Sequence, residues 1–398
     1  MDFELTEEQS MLQKSIAKFA KKEFTRERSI EYDRKHEFPW DLYRKLCSQG
    51  YVGVNWPEEY GGQGLGIAEK MIIAYEMVKA EPNLGSTMCA GNFGADIIHY
   101  NGSNEQKKKW LPMLARGEIT SAGCFTEPNG GSDLTRVLDT RAVRQDSDWI
   151  INGSKCFITN ATTASIFITL TQTDPEAKPP HRGQTDFIVE RESGIETRVQ
   201  QGKMGWFSIP TGEVVFNDVR VPEDSIVGGP ENENRGIYMA MGFLDEGRLY
   251  VGIKATALAE AALQRSIQYA MERHAFGRPL AGFQALAHRI VEMATKVESM
   301  KALCDKGIWI RDRARKDPAL MNESMRINSM VKWQGARTAV ESCDLAVDVF
   351  GGSGYFSEED VTRWYTLAKQ MELVEGTKEI QKNLIARVTF GNEIVKMF

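Results

Sequence analysis

Histidine and cysteine are scarce, five and six in 398 residues. Neither type clusters. Cys47, Cys89, Cys124, Cys156, Cys304 and Cys343 form no CxxC pair and no spacing that converges with a histidine, so neither a zinc site nor a disulfide framework is indicated. They read as reduced core thiols. Basic charge is also short: 49 Lys and Arg against 55 Asp and Glu give a formal net charge of −6. A nucleic-acid or anionic-membrane partner would reward a basic face, so any attraction for phosphate must be local. No run of eighteen apolar residues occurs, which argues against a membrane span, and the start Met1-Asp2-Phe3-Glu4-Leu5 is acidic where a secretory leader is basic and then apolar. A cytoplasmic protein is the expectation. A nicotinamide-type glycine fingerprint is missing too: Phe350-Gly351-Gly352-Ser353-Gly354-Tyr355 has the glycines but lies between two helical stretches, and on glycines alone it reads as a helix-ending turn.

What the chain does have is 42% apolar residues over a length that calls for two or three folding units. From Thr6 to about Gly117 the pattern is helical, with Met11, Ile16, Phe19 and Ala20 on one face and a turn-rich break from Trp56 to Leu65. Between about Glu118 and Gly229 come short β-rich runs, Trp149 to Ile151, Ile166 to Leu170, Phe187 to Val189 and Val214 to Phe216, which predict a small antiparallel barrel or sandwich. After Asn234 the helical period returns over roughly 236–273, 283–314, 320–349 and 376–397, predicting a four-helix bundle. The expected class is α+β: an N-terminal helical domain (1–117), a middle β domain (118–232) and a C-terminal bundle (233–398).

Chemistry-bearing residues concentrate in a few stretches. Phe125-Thr126-Glu127-Pro128-Asn129-Gly130-Gly131-Ser132-Asp133 sets two glycines between two hydroxyls, which lets backbone N–H groups approach a phosphate or a flat ring. Phe157 and Thr159 follow the turn Asn152-Gly153-Ser154-Lys155 and share one side of a strand. Either stretch could equally be a plain β-turn. Asp245-Glu246-Gly247-Arg248 reads as a helix opening, for which a surface ion pair is the plain alternative, and Glu272-Arg273-His274-Ala275-Phe276-Gly277-Arg278 as its close. Glu375 precedes the helix that carries Ile380, Leu384 and Val388, where a carboxylate would ordinarily just favour a helix N-terminus.

In this order and spacing the segments resemble the acyl-CoA dehydrogenase family, from Leu5 to Val388. The matching pieces are Pro57-Glu58-Glu59-Tyr60-Gly61-Gly62, Thr126-Glu127-Pro128 with Gly131-Ser132-Asp133, Asn152-Gly153-Ser154-Lys155 with Phe157-Ile158-Thr159-Asn160, Glu272-Arg273 with Phe276-Gly277, and Glu375-Gly376-Thr377. The resemblance implies an FAD-dependent homotetramer that desaturates an acyl-CoA thioester. Glu375 would take the α-proton, its own backbone N–H would help to hold the enolate oxygen, and flavin N5 would take the β-hydride. Phe125, Thr126, Gly131 and Ser132 would meet the isoalloxazine and pyrophosphate, Phe157 and Thr159 the flavin ring. Arg273, Phe276, Gln284 and the segment Asp348 to Gly352 would hold the neighbouring subunit's FAD, with Thr377 and Glu379 completing that site. Asp348 departs from the glutamine common in relatives, and an acid beside a pyrophosphate is electrostatically awkward. Ser132, Asp245, Arg248, Val374 and Gly376 are the implied substrate contacts.

Relatives also carry the base in a second place, directly before the arginine of the first bundle helix. Here that slot is Gly247, with Glu246 turned about 100° away, so Glu375 is the better candidate. An aromatic at Phe157 implies electron-transferring flavoprotein as acceptor. Val374, where straight-chain enzymes often have an aromatic, points to a short, branched or cyclic acyl group. A dicarboxylic substrate of the glutaryl type stays open, although Ser86 to Phe93, expected to line the acyl pocket, holds no arginine. The same fold hosts acyl-CoA oxidases, usually longer at the C-terminus, and flavin monooxygenases, which lack the base. A non-catalytic FAD- or CoA-binding paralogue would have no need of Glu375.

Overall fold

The computed structural model describes residues 4–391 and 393–395. The acidic start at Met1 to Phe3 and the end of the final expected helix at 396–397 lie outside the described residues.

Seven helices come first: α1 Glu7–Glu23, α2 Arg26–Lys35, α3 Trp40–Ser48, α4 Ile67–Ala80, α5 Pro82–Ala90, α6 Ala95–Asn101 and α7 Asn104–Ala115. Side-chain N-caps set the starts of α1, α2, α5 and α7. At α1 the Gln9 N–H donates to Thr6 Oγ1 at 3.2 Å while the Thr6 N–H donates to Gln9 Oε1 at 3.1 Å. Trp56 to Leu65 is irregular apart from one 3₁₀ turn at Glu58–Tyr60, as its glycines and Pro57 predict.

The middle region holds β1 Ser121–Cys124, β2 Arg141–Gln145, β3 Asp148–Thr159, β4 Ile166–Gln172, β5 Gln184–Glu190, β6 Glu196–Val199 and β7 Thr211–Pro222. All four apolar runs read from the sequence fall within strands. The strand order is β1-β4-β2-β3-β7-β6, with β5 added on β4. Pairing is antiparallel except at β1–β4 and β2–β4, which are parallel. Those two pairings were not predicted, because alternation along a strand says nothing of the direction of its neighbour.

The C-terminal region contains α8 Gly236–Glu272, a small hairpin of β8 His274–Ala275 and β9 Arg278–Pro279, α9 Gln284–Ala314, α10 Met321–Phe350, α11 Asp360–Leu373 and α12 Lys378–Phe390. It carries one helix more than the four read from the sequence. In α11 the apolar period of Val361, Trp364, Leu367, Ala368 and Met371 is present but masked by charge. Arg363 and Asp360 are buried with it, paired at 2.8 Å. Small residues let α8 and α10 touch backbone to backbone: a Cβ on Gly335 would stand 2.6 Å from the Gly252 carbonyl oxygen. Asp245 does not open α8 but lies nine residues into it.

Candidate active site

The chain turns sharply between α11 and α12. Glu375 has φ 55° and Gly376 φ 90°, so the last turn of α11 cannot continue and the Glu375 side chain is thrown toward α8. Gln381 Nε2 donates to the carbonyls of Glu375 and Gly376, both at 2.9 Å. From α10, Lys332 Nζ donates to the carbonyls of Glu372 (3.0 Å) and Gly376 (2.8 Å). Lys332 is fully buried, so this turn is fixed from below. Lys332→Met is expected to cost about 1–3 kcal/mol through the two orphaned carbonyls, read as a lower denaturation midpoint; an unchanged midpoint would show that the turn holds itself.

The carboxylate of Glu375 stands directly against Gly247. A Cβ added at Gly247 would lie 2.8 Å from Glu375 Oε2 and 2.9 Å from its Cδ. The two sequence positions at which relatives carry the base are therefore one place in space. Oε2 is closed off from solvent and takes no hydrogen bond. Burial pushes the Glu375 carboxyl up to about 7, against the pull of Arg248, Lys254 and Lys332. A helix-terminal carboxylate in water would show neither property. Among the described residues no backbone carbonyl takes the Glu375 N–H, which leaves that donor free for a substrate oxygen.

Glu375 and Gly247 line one cavity of about 110 Å³ between the N-terminal helices and α8. Its wall is rich in aromatic rings, among them Tyr43, Tyr51, Trp56, Phe93, Phe243 and Tyr250. Met88, Cys89, Asn92 and Phe93 line it, from the stretch expected to do so, whereas Ser86 and Thr87 are buried elsewhere. Val374 does not line it; it packs against the main apolar core. Sequence reading missed the charged side of the cavity: Lys70 bridges Asp96 (2.6 Å) and Glu246 (2.9 Å), and Glu246 also meets Arg311 (3.6 Å) and Arg315 (3.0 Å). Asp245 is no surface ion pair. It is buried, held by Arg248 (3.5 Å), Arg311 (3.2 Å) and Asn328 (3.2 Å).

Phe125 reaches this cavity through a ring contact with Phe243, at 6.1 Å between centroids. Glu127 locks its loop: the carboxylate accepts from Asp139 N (2.9 Å), Thr140 N (2.9 Å), Lys155 Nζ (3.0 Å) and Arg136 Nη2 (2.7 Å). The Cys156 N–H donates to the Thr126 carbonyl at 2.9 Å, tying the loop to β3. Thr126 stays half-buried, and Gly131 and Ser132 stay exposed. A register shift between Lys155 and Ile158 bulges β3 outward, so Phe157, at φ 58°, is 69% exposed, with half-buried Thr159 two residues on. A braced loop offering glycine, hydroxyls and an upturned ring suits a flat, phosphate-bearing cofactor.

The remaining sequence candidates lie elsewhere. Arg273, Phe276 (96% exposed), Gln284, Asp348 and Gly352 are all exposed, around the end of α8, the hairpin, the start of α9 and the end of α10. Among the described residues no hydrogen bond, ion pair or ring contact joins them to the Phe125–Thr159 group. Asp348 is paired with Arg289 at 2.6 Å, which offsets the charge that looked awkward beside a pyrophosphate. Thr377 occupies the N-cap of α12 and Glu379 its exposed first turn.

Comparison with known proteins agrees along the whole chain. Family models match for the acyl-CoA dehydrogenase N-terminal domain (residues 6–118), middle domain (122–219) and C-terminal domain (234–390). The chain is 35% identical to an acryloyl-CoA reductase (NADH) of Anaerotignum propionicum, over 97% of this chain and 95% of that one. It is 33% identical to a cyclohex-1-ene-1-carbonyl-CoA dehydrogenase of Syntrophus aciditrophicus, over 96% and 90%. Butyryl-CoA dehydrogenase from Megasphaera elsdenii superposes with a TM-score of 0.89 at 30% identity, covering 98% of this chain and 100% of that one. With a half-buried carboxylate whose closed-off Oε2 has no partner facing a ring-lined cavity, and relatives matched from end to end, the chain belongs to the acyl-CoA dehydrogenase family and is an FAD-dependent oxidoreductase.

Proposed function

We propose that this enzyme desaturates a short, branched or cyclic acyl-CoA to the 2-enoyl-CoA, with Glu375 as the base. The observation that carries the reading is the half-buried Glu375 carboxylate, its Oε2 closed off from solvent and without a hydrogen bond, aimed into the acyl cavity. A thioester α-proton is only weakly acidic, so its removal needs a base whose basicity is raised and an enolate oxygen met by a fixed donor. Burial supplies the first and the free Glu375 N–H the second. Lys332 and Gln381 hold both in register. FAD, when bound, supplies the acceptor for the β-hydride. Phe125, Thr126, Gly131, Ser132, Phe157 and Thr159 are its proposed contacts, with Arg273, Phe276, Gln284, Asp348, Gly352, Thr377 and Glu379 serving the neighbouring subunit's cofactor in a homotetramer. Ser132, Arg248 and Gly376 remain the proposed substrate contacts, with Asp245 orienting Arg248; Val374, turned into the core, is no longer among them.

Substrate shape is supported by the aromatic wall rather than by Val374, which lies outside the lining. Exposed Phe157 supports a docking site for electron-transferring flavoprotein as acceptor. Six unpaired thiols support a cytoplasmic setting, and among the described residues no helix is long and apolar enough to cross a membrane.

The pH profile tests the base. Only ionised Glu375 can take a proton, so kcat/KM is expected to climb about tenfold per pH unit below its midpoint and level off above about 7. A profile flat from pH 5 to pH 9 would remove Glu375 from that role.

A further inference from the structure

Among the described residues, one charge beside the active site has neither a hydrogen-bond nor an ion-pair partner. Lys254 lies in the apolar middle of α8, between buried Ile253 and Ala255, and is 8% exposed. Among the described residues its ammonium makes no hydrogen bond and no ion pair. It lies over the ring of Tyr250, 5.0 Å from the centroid, and its charge is felt by Cys89 and Glu375. The other buried cations around the cavity are all engaged: Lys70 with Asp96 and Glu246, Arg248 with Asp245, Arg311 with Asp245 and Glu246, Lys332 with two carbonyls. Leaving a buried ammonium uncompensated is costly, and a cation–π contact recovers only part of that cost.

The position says what would compensate it. Gly247, Tyr250 and Lys254 are spaced i, i+3, i+7, so they share one face of α8, and the first two line the acyl cavity. Long side chains on a helix lean back toward its N-terminus, which carries the Lys254 ammonium toward Tyr250 and the cavity. Gly247 marks the place of the base and so of the substrate α-carbon. Two helical turns, about 10 Å, separate the backbones of Gly247 and Lys254, and the lysine's lean shortens that to the length of a small acyl group. Glu375 feels the Lys254 charge, but among the described residues the two form neither a hydrogen bond nor an ion pair, and a base has to stay free to act.

We propose that Lys254 is a specificity-determining residue and that the substrate's acyl group, short, branched or cyclic, carries a carboxylate which pairs with it. This rests on the desaturation reading and narrows its substrate class. The cation comes from α8, not from Ser86 to Phe93, a stretch that holds no arginine.

Matched acyl-CoAs differing only by methyl against carboxylate separate the possibilities: butanoyl with succinyl, pentanoyl with glutaryl, 2-methylbutanoyl with 2-methylsuccinyl. Each is assayed by anaerobic flavin bleaching and, in the Glu375→Gln holoenzyme, by equilibrium binding. In at least one pair the wild type is expected to prefer the carboxylated member. Lys254→Met should weaken that member's binding about 50-fold or more and change its neutral twin less than about threefold, with partial rescue by Lys254→Arg. A wild type that prefers the neutral member of every pair, or a Lys254→Met loss equal for both members, overturns the proposal. Bleaching by neutral acyl-CoAs alone would leave desaturation standing while the carboxylate falls. Carboxylate-selective binding with no bleaching at all would do the reverse. The wild-type preference needs no variant, so a poorly folding Lys254→Met does not blunt the test.

Discussion

Glu375→Gln is expected to slow desaturation by roughly 10³- to 10⁴-fold while leaving acyl-CoA binding within a few-fold of wild type, because an amide fills the same space and cannot take a proton. The same change should stabilise the fold. A buried carboxyl held near 7 is still protonated in the folded protein at pH 5 to 6, where the unfolded chain has already ionised. Stability is therefore lost as pH rises from the ordinary carboxylate range to about 7, and the loss is complete above it. Glutamine removes that term, so at pH 8 the variant should gain about 1–3 kcal/mol, and below pH 4 almost nothing. Paired denaturant melts and stopped-flow bleaching measure both. A variant that is slow but equally stable at both pH values would mean that the carboxyl is not held in its buried, neutral-favouring setting.

Gly247→Ala is the second large effect, and it separates contact from chemistry. The new methyl would arrive 2.8 Å from Glu375 Oε2, closer than side chains tolerate, so the flexible end of Glu375 has to swing away. Folding should hardly notice, since alanine is the better helix former by nearly 1 kcal/mol and only a side-chain tip moves. The reaction should notice strongly: a base displaced by about 1 Å loses about 100-fold in kcat. A rate within twofold of wild type would place the carboxylate somewhere other than against α8.

The fold was largely legible because its signals are local. Apolar spacing gave three long helices of the bundle to within a residue or two, and runs such as Ile166 to Leu170 fell inside strands. Direction of strand pairing was not legible, nor was α11, whose apolar stripe is interleaved with Arg363 and Asp360, charges that satisfy each other only once folded. Glu375 could be found because a whole-chain resemblance pointed to it. That it shares its space with Gly247, 128 residues earlier, could not be read from spacing. The same holds for Lys70 and Glu246, whose pairing closes one side of the cavity across 176 residues. Val374 misled by adjacency: next to the base in sequence, it turns into the apolar core. Lys254 did leave a trace, a lone cation in the run Leu249 to Ala259, and an unexplained charge in an apolar helix is a signal that can be sought in any sequence.

The most direct test is anaerobic mixing of the FAD-loaded protein with the acyl-CoA panel, wild type beside Glu375→Gln, following flavin absorbance and the enoyl-CoA product. Bleaching of the wild type with stoichiometric 2-enoyl-CoA, and binding without bleaching in the variant, is the expected result. Bleaching of the variant at the wild-type rate would contradict Glu375 as the base, and a wild type that binds acyl-CoA yet is bleached by none of the panel would contradict desaturation of this substrate class.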